Sequence, residues 1–271
     1  MKVNYQSYSN PEQKLPYPKP NLVLLGSDNP TTWIVYNRLV EEFGPFPALI
    51  ESAISRRVLF KNRIRKLGLL AAVSQVAFVG LIRPFLRYFA KQRINQICRL
   101  DGLECVEPMS THITKIASAN GEDCAKFLRE AEAKVVIVNG TRILRPHILN
   151  STSAIFLNTH QGITPEYRGA HGAYWALEQN DAANCGVTIH LVDEGIDTGN
   201  IIGQAKIIPS SEDNFSSYPF LQTAAALPLL LTAVRNILGD KLETTPIQGL
   251  SRVWYHPGFF TYIFGRLRGI K

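Results

Sequence analysis

Apolar residues along this chain recur in two rhythms. Leu22-Val23-Leu24-Leu25 is a short continuous run stopped by Gly26-Ser27-Asp28-Asn29-Pro30, and residues 31–43 then place Trp33, Val35 or Tyr36, Leu39 and Val40 at helical spacing. The pattern predicts strand, loop, helix. Pro47-Ala48-Leu49-Ile50 reads as a second strand, residues 121–133 as a helix, and Lys134-Val135-Val136-Ile137-Val138 as a strand buried on both faces, being β-branched and nearly uninterrupted. Strands alternating with helices imply an α/β fold: a doubly wound, Rossmann-like, mostly parallel sheet whose ligands sit at the carboxyl ends of the strands. We expect an extended arm over residues 1–20, a main domain over 21–210 with a helical insertion at 52–100, and a small C-terminal appendage over 211–271. Within that appendage residues 220–238 read as a helix interrupted at Pro228, and 241–271 mix aromatics with Arg266, Arg268 and Lys271.

Two strand ends carry chemistry. Asn139-Gly140-Thr141 closes one apolar run and Asn158-Thr159-His160 closes Ala154-Ile155-Phe156-Leu157. Alternate strand residues point the same way, so Asn158 and His160 project together, an amide donor beside an ionisable imidazole. An aspartate such as Asp197, at the end of a second apolar run, would orient and charge that ring. A trio of this kind can stabilise an oxyanion and move a proton, the two needs of acyl transfer to an amine. His171 and His190 read as structural, His190 lying mid-strand between Ile189 and Leu191, and no second His or Cys stands at metal-ligand spacing to it, so no metal is expected. The loop Gly26-Ser27-Asp28 lacks the glycine spacing of a dinucleotide fingerprint, yet it opens a helix and can present backbone amides to a substrate phosphate.

The Asn-x-His, the Pro165-Glu166-Tyr167-Arg168-Gly169 turn and the downstream Asp197-Thr198-Gly199 together resemble the folate-dependent formyltransferases, the family of glycinamide ribonucleotide, methionyl-tRNA and sugar N-formyltransferases. The likeness is strong over residues 135–208 and weaker over 21–51 and 102–150. It departs after the histidine, where the family often reads His-x-Ser-Leu-Leu-Pro and this chain reads His160-Gln161-Gly162-Ile163-Thr164-Pro165. The resemblance implies a formyltransferase-like fold and an N-formyltransferase using 10-formyltetrahydrofolate. Its pterin would be held along Val138, Asn139, Gly140, Thr141, Ile143 and Leu144 and along Val192, Asp193 and Glu194. Asn158 and His160 would donate to the oxyanion while Asp197 orients His160 and helps carry the proton. Tyr167-Arg168-Gly169 and Tyr174-Trp175-Ala176-Leu177 look most like the sugar N-formyltransferases, so the expected acceptor is an amine on a nucleotide-linked sugar. Arg168, Gly169 and Trp175 join Gly26, Ser27 and Asp28 as substrate-binding candidates. The short stretch beyond residue 251 speaks against tRNA. The alternatives are a membrane-presented, small-molecule or peptide amine, and a non-catalytic relative that binds folate or a sugar nucleotide.

Charge changes this picture in one place. The chain has 271 residues and a net charge of +7, but residues 52–100 contain eleven Lys and Arg and no acid. Without those eleven, the remaining 18 basic residues are outnumbered by the 22 acidic ones. Inside this segment residues 67–82 are uncharged and mostly apolar, shorter than the ~20 residues that usually span a bilayer. A basic-flanked apolar helix packs on its own sheet, lies on an anionic membrane surface, or covers a second subunit in a homodimer. Nucleic acid is not expected, because Phe85, Tyr88 and Phe89 fit packing better than base stacking. Cys98, Cys105, Cys124 and Cys185 form no C-x-x-C pattern, and residues 1–20 lack the apolar core of a signal peptide. Both point to the cytoplasm, or to its membrane surface if the basic segment binds lipid.

Overall fold

The computed structural model describes residues 21–270, so the arm expected at 1–20 lies outside the described residues. In chain order the elements are β1 (Leu22–Ser27), α1 (Pro30–Phe43), β2 (Ala48–Glu51), α2 (Arg56–Leu67), α3 (Leu69–Ala77), a π-helical turn (Phe78–Ile82) and α4 (Arg83–Leu100). They continue with β3 (Ile113–Ile116), α5 (Glu122–Ala131), β4 (Val135–Asn139), α6 (Pro146–Leu149), β5 (Ile155–His160), β6 (Arg168–Gly169) and α7 (Gly172–Glu178). The last five are β7 (Gly186–Leu191), β8 (Ile201–Lys206), α8 (Tyr218–Leu238), β9 (Val253–Trp254) and α9 (Phe259–Leu267).

Seven strands form one sheet in the order β3-β2-β1-β4-β5-β7-β8. The first five run parallel, and β7 and β8 are antiparallel to their neighbours, which makes the sheet mostly parallel and doubly wound. The two-residue period of a strand sorts its side chains between two layers. Leu22 and Leu24 of β1 and Ile137 of β4 face one core shared with α1 and α8, while Val23, Leu25, Val136 and Val138 face a second shared with α5. β3 and β8 are the two edges of the sheet and are only half buried, which is why neither carries a strong apolar run.

One local expectation fails. α8 runs unbroken through Pro228, because that ring lies on the exposed face of the helix and the Ala224 carbonyl deprived of its donor is left on the solvent side. The inner face of α8, including Leu230 and Val234, packs with α1 in the main core.

Candidate active site

Three elements converge on one carboxylate. β5 ends on Asn158 and His160, and the antiparallel register sets Asn158 opposite His190 and His160 opposite Thr188 of β7. The chain leaving β7 folds back through a tight loop in which Asp197 adopts φ +51° and Gly199 lies so close to Leu191 that an added Cβ would fall 1.8 Å from its carbonyl oxygen. An aspartate tolerates that left-handed conformation better than a branched residue, and only glycine tolerates the close approach. The loop thereby turns Asp197 back over the end of β5.

Asp197 Oδ2 accepts a hydrogen bond from the Gly169 amide at 2.9 Å and lies 3.2 Å from His160 Nδ1. Its Oδ1 accepts from Asn158 Nδ2 at 3.2 Å and is 3.5 Å from His190 Nε2. Burial opposes ionisation of this carboxyl, but the His160 and His190 rings and the Gly169 amide outweigh it and bring its pKa down to about 2. Asp197 is therefore a fixed negative charge at neutral pH. Burial also pushes the His160 pKa below its ordinary value, with Asp197 and the Tyr167 carbonyl pulling against that shift. His160 Nε2 sits 2.7 Å from the Tyr167 carbonyl oxygen, so the neutral ring carries its proton there and leaves Nδ1 open toward Asp197. With its two nitrogens committed to Tyr167 and Asp197, His160 is placed to handle a proton rather than to reach an oxyanion.

His190, expected to be structural, belongs to this cluster. Its Nδ1 is 2.7 Å from the Leu191 carbonyl oxygen, which fixes the proton on Nδ1, and Nε2 then accepts from the Asn158 amide at 3.1 Å. The ring sets which end of the Asn158 side chain faces the carboxylate. Alternation along β7 hints that His190 shares a face with Thr188, but which face depends on pairing with β5, and no sequence pattern reveals that register. His190→Phe should lower turnover by roughly tenfold, as expected for a lost hydrogen bond worth about 1 to 1.5 kcal/mol. The readout is kcat against KM, with the fall confined to kcat.

A cleft of about 1400 Å³ opens over this cluster. That exceeds the ~300–1,000 Å³ of a pocket for one small molecule and leaves room for two ligands side by side. The backbone of residues 138–144 borders it on one side, and Val192, Asp193, Gly195 and Ile196 border it on another. The first loop turns at Gly140, φ +68°, and is anchored from below by Glu51, whose Oε1 accepts from the Arg142 amide at 2.6 Å. Two backbone stretches lining one cleft suit a flat heterocycle with several donors and acceptors. Another part of the lining is cationic, with Arg83, Arg87 and Lys91 of α4 and Lys66 of α2. Asp28 and Gly169 also border the cleft, as do Trp254 and Tyr255.

Other candidates lie elsewhere. Glu194 is exposed and does not border the cleft. The Asn139 side chain is turned inward to accept from Thr32 Oγ1 at 3.0 Å. Gly26 is packed under Thr32, and Ser27 Oγ donates to the Gly140 carbonyl at 2.8 Å, so both tie loops together rather than face a ligand. Arg168 donates to the Ile196 carbonyl at 3.0 Å, clamping the loop that carries Asp197. Trp175 stacks on Trp254 with ring centroids 4.6 Å apart and donates to the Tyr255 carbonyl, a packing role away from the cleft. His171, also read as structural, borders the cleft and pairs with His256 at 2.9 Å. Among the described residues no group of His, Cys, Asp and Glu could hold a metal ion.

Residues 101–218, which include Asn158, His160, His190 and Asp197, match the family model described as formyl transferase. Over these residues the chain is similar to the formyl transferase family. Its sequence is 28% identical over 165 residues to a methionyl-tRNA formyltransferase of Kosmotoga olearia, covering 60% of this chain and 50% of that protein. The chain thus spans about half the length of that curated relative. In fold the chain is similar to a sugar N-formyltransferase from Shewanella sp. FDAARGOS_354, with a TM-score of 0.54 at 16% identity over 86% of this chain and 76% of that one. It is also similar to an N-formyltransferase of Helicobacter canadensis in complex with folinic acid and dTDP-3-aminofucose, with a TM-score of 0.51 at 14% identity over 87% and 70% of the two chains. The helices α2 to α4 precede the matched residues.

Proposed function

We propose that this protein is an N-formyltransferase that moves a formyl group from 10-formyltetrahydrofolate to the amine of an amino sugar carried on a nucleotide, with Asn158, His160 and Asp197 as its catalytic residues. The observation that carries the reading is the single buried carboxylate shared by the Asn158 amide and His160 Nδ1 at 3.2 Å each. Support for the acceptor comes from the cationic wall of Arg83, Arg87 and Lys91, which suits a diphosphate, and from the dTDP-3-aminofucose bound by the Helicobacter protein. The name of the Kosmotoga relative points instead to methionyl-tRNA, and a direct comparison of the two acceptors decides between them.

Folate is assigned to the part of the cleft lined by residues 138–144 and 192–196, whose backbone would hold the pterin. When bound, 10-formyltetrahydrofolate supplies an activated formyl carbon on a nitrogen leaving group. The Asn158 amide, whose hydrogens rest on Asp197 and His190, gives one of them to the formyl oxygen as charge develops there. The proton released by the attacking amine passes to the Asp197–His160 pair, held between Oδ2 and Nδ1, and returns from it to the leaving nitrogen. The cationic wall orients the acceptor, and the clamped Asp197 loop closes the site beneath it.

In an assay following tetrahydrofolate release, a dTDP-linked amino sugar should be consumed and methionyl-tRNA should not. Turnover of methionyl-tRNA alone would overturn the acceptor assignment. The same assay should show an acid limb. Because burial favours the neutral His160 ring, its pKa lies below 6.5, and kcat should stay flat through neutrality and fall only as pH drops beneath that value and a proton fills Nδ1. The limb should disappear in His160→Asn, measured on whatever turnover remains.

A further inference from the structure

Going beyond the transfer reaction, we infer that the outer face formed by α3, the start of α4 and α9 docks on an anionic lipid bilayer. Two stretches far apart in sequence build this face. α3 and the π-helical turn that follows it pack on α9: the Phe78 and Tyr262 rings lie 5.1 Å apart, and an added Cβ on Gly258 would fall 2.6 Å from Ser74 Oγ. Each helix spends one side on that contact and leaves an apolar stripe in solvent. Leu70 is 87% exposed and Leu81 68%, while Phe264 and Leu267 are 61% and 78% exposed on α9. Phe85 and Phe89 extend the surface onto the first turns of α4, where both are 61% exposed. Large exposed apolar side chains gathered on helices packed side by side mark an interaction site.

Charge says what covers it. No Asp or Glu occurs in residues 52–100, and none follows Glu243. Arg93 and Arg268 turn away to pair with Asp213 and Glu178. Among the described residues no carboxylate pairs with Arg56, Arg57, Arg65 or Arg266. The apolar face is thus flanked by unopposed positive charge, from α2 packed on α3 and from Arg266 in the last turn of α9. A second copy would bring the same face to itself, since a two-fold interface is self-complementary, and would set cation against cation with no acid to answer. An anionic bilayer offers the converse, a negative surface over an apolar interior.

The helix lies along that surface rather than crossing it. By length and composition Leu69–Leu100 is apolar enough to span. Its inner side is nevertheless fixed to the protein: Phe78 meets Phe215 with centroids 5.0 Å apart, Gln75 Nε2 donates to the His256 carbonyl at 2.7 Å, and Leu86 and Ala90 are buried. A helix held on one side by a polar domain can bury only its other side. Its extension into α4 carries Arg87 and Lys91 along the cleft, so docking would hold the acceptor cleft beside the lipid headgroups.

Co-sedimentation of the full chain with vesicles tests this, using phosphatidylcholine alone or mixed with phosphatidylglycerol, at low and high salt. The protein should pellet with the anionic vesicles at low salt and be released by high salt. Leu70→Glu with Phe264→Glu, and separately Arg57→Glu with Arg65→Glu, should each weaken binding by about tenfold or more. All four positions are exposed, and an unchanged circular dichroism melt confirms that the variants fold. Wild-type protein that ignores anionic vesicles at low salt, or binds them equally well as either double variant, overturns the proposal. So does a dimer in sedimentation equilibrium that Leu70→Glu with Phe264→Glu dissociates.

Discussion

Asp197→Asn should lower formyl transfer by a hundred- to ten-thousandfold with the fold intact, because the change keeps the shape of the side chain and removes the charge on which the cluster is arranged. The variant amide presents one acceptor where the carboxylate presents two, so the Gly169 and Asn158 donors compete for it and His160 Nδ1 loses the partner that would stabilise its protonated form. Single-turnover rates with saturating folate measure the loss, and a near-wild-type rate would remove Asp197 from the chemistry. The same group contributes to stability. Its pKa falls from an unfolded value near 4 to about 2, so its contribution, on the order of 2 kcal/mol, is complete above the unfolded value and is lost as pH drops through the folded one. Wild type and Asp197→Asn should therefore differ most in melting temperature above about pH 4 and converge toward pH 2.

Glu51→Ala should produce the largest loss of stability of the variants considered, roughly 3 to 5 kcal/mol, or on the order of 10 °C in Tm. Glu51 ends β2 with its side chain buried, accepts from the Arg142 amide at 2.6 Å and the Ala119 amide at 3.0 Å, and lies 2.8 Å from Arg142 Nε. Removing it leaves two backbone donors without their acceptor and Arg142 Nε without its counter-charge. The Arg142 side chain keeps its bonds to the Ser52 and Ala117 carbonyls, so the loop loosens rather than detaches. Because that loop is assigned to the pterin, KM for the folate should rise severalfold in Glu51→Gln, which keeps one acceptor oxygen, while kcat changes less. Differential scanning calorimetry with steady-state kinetics separates the two effects. A Glu51→Gln enzyme with unchanged folate KM would detach this loop from cofactor binding.

Periodicity and turn chemistry were enough to read the parallel strands β1, β2 and β4 and the helices between them, because a strand buried on both faces must be apolar throughout and a half-buried helix must repeat every three to four residues. They were also enough to see that Asn158 and His160 share a face, since alternation along a strand is a local rule. Asp197 was legible through its place in a family motif, but its position over His160 is a tertiary fact: the two are joined only by an antiparallel return through β7 and a loop that Gly199 allows to close. His190 shows the same limit more sharply. Its neighbours in sequence are core residues, and only the pairing of His190 with Asn158 turns its ring toward the carboxylate. The direction of the His160 nitrogens, the withdrawal of Trp175 into a stack with Trp254, and the continuity of α8 through Pro228 were likewise decided by what lies across from each residue. Residues 52–100 could be read as basic and apolar from composition alone. That α3 spends one side on α9 and leaves the other in solvent depends on a contact between segments nearly two hundred residues apart, and no local pattern encodes that.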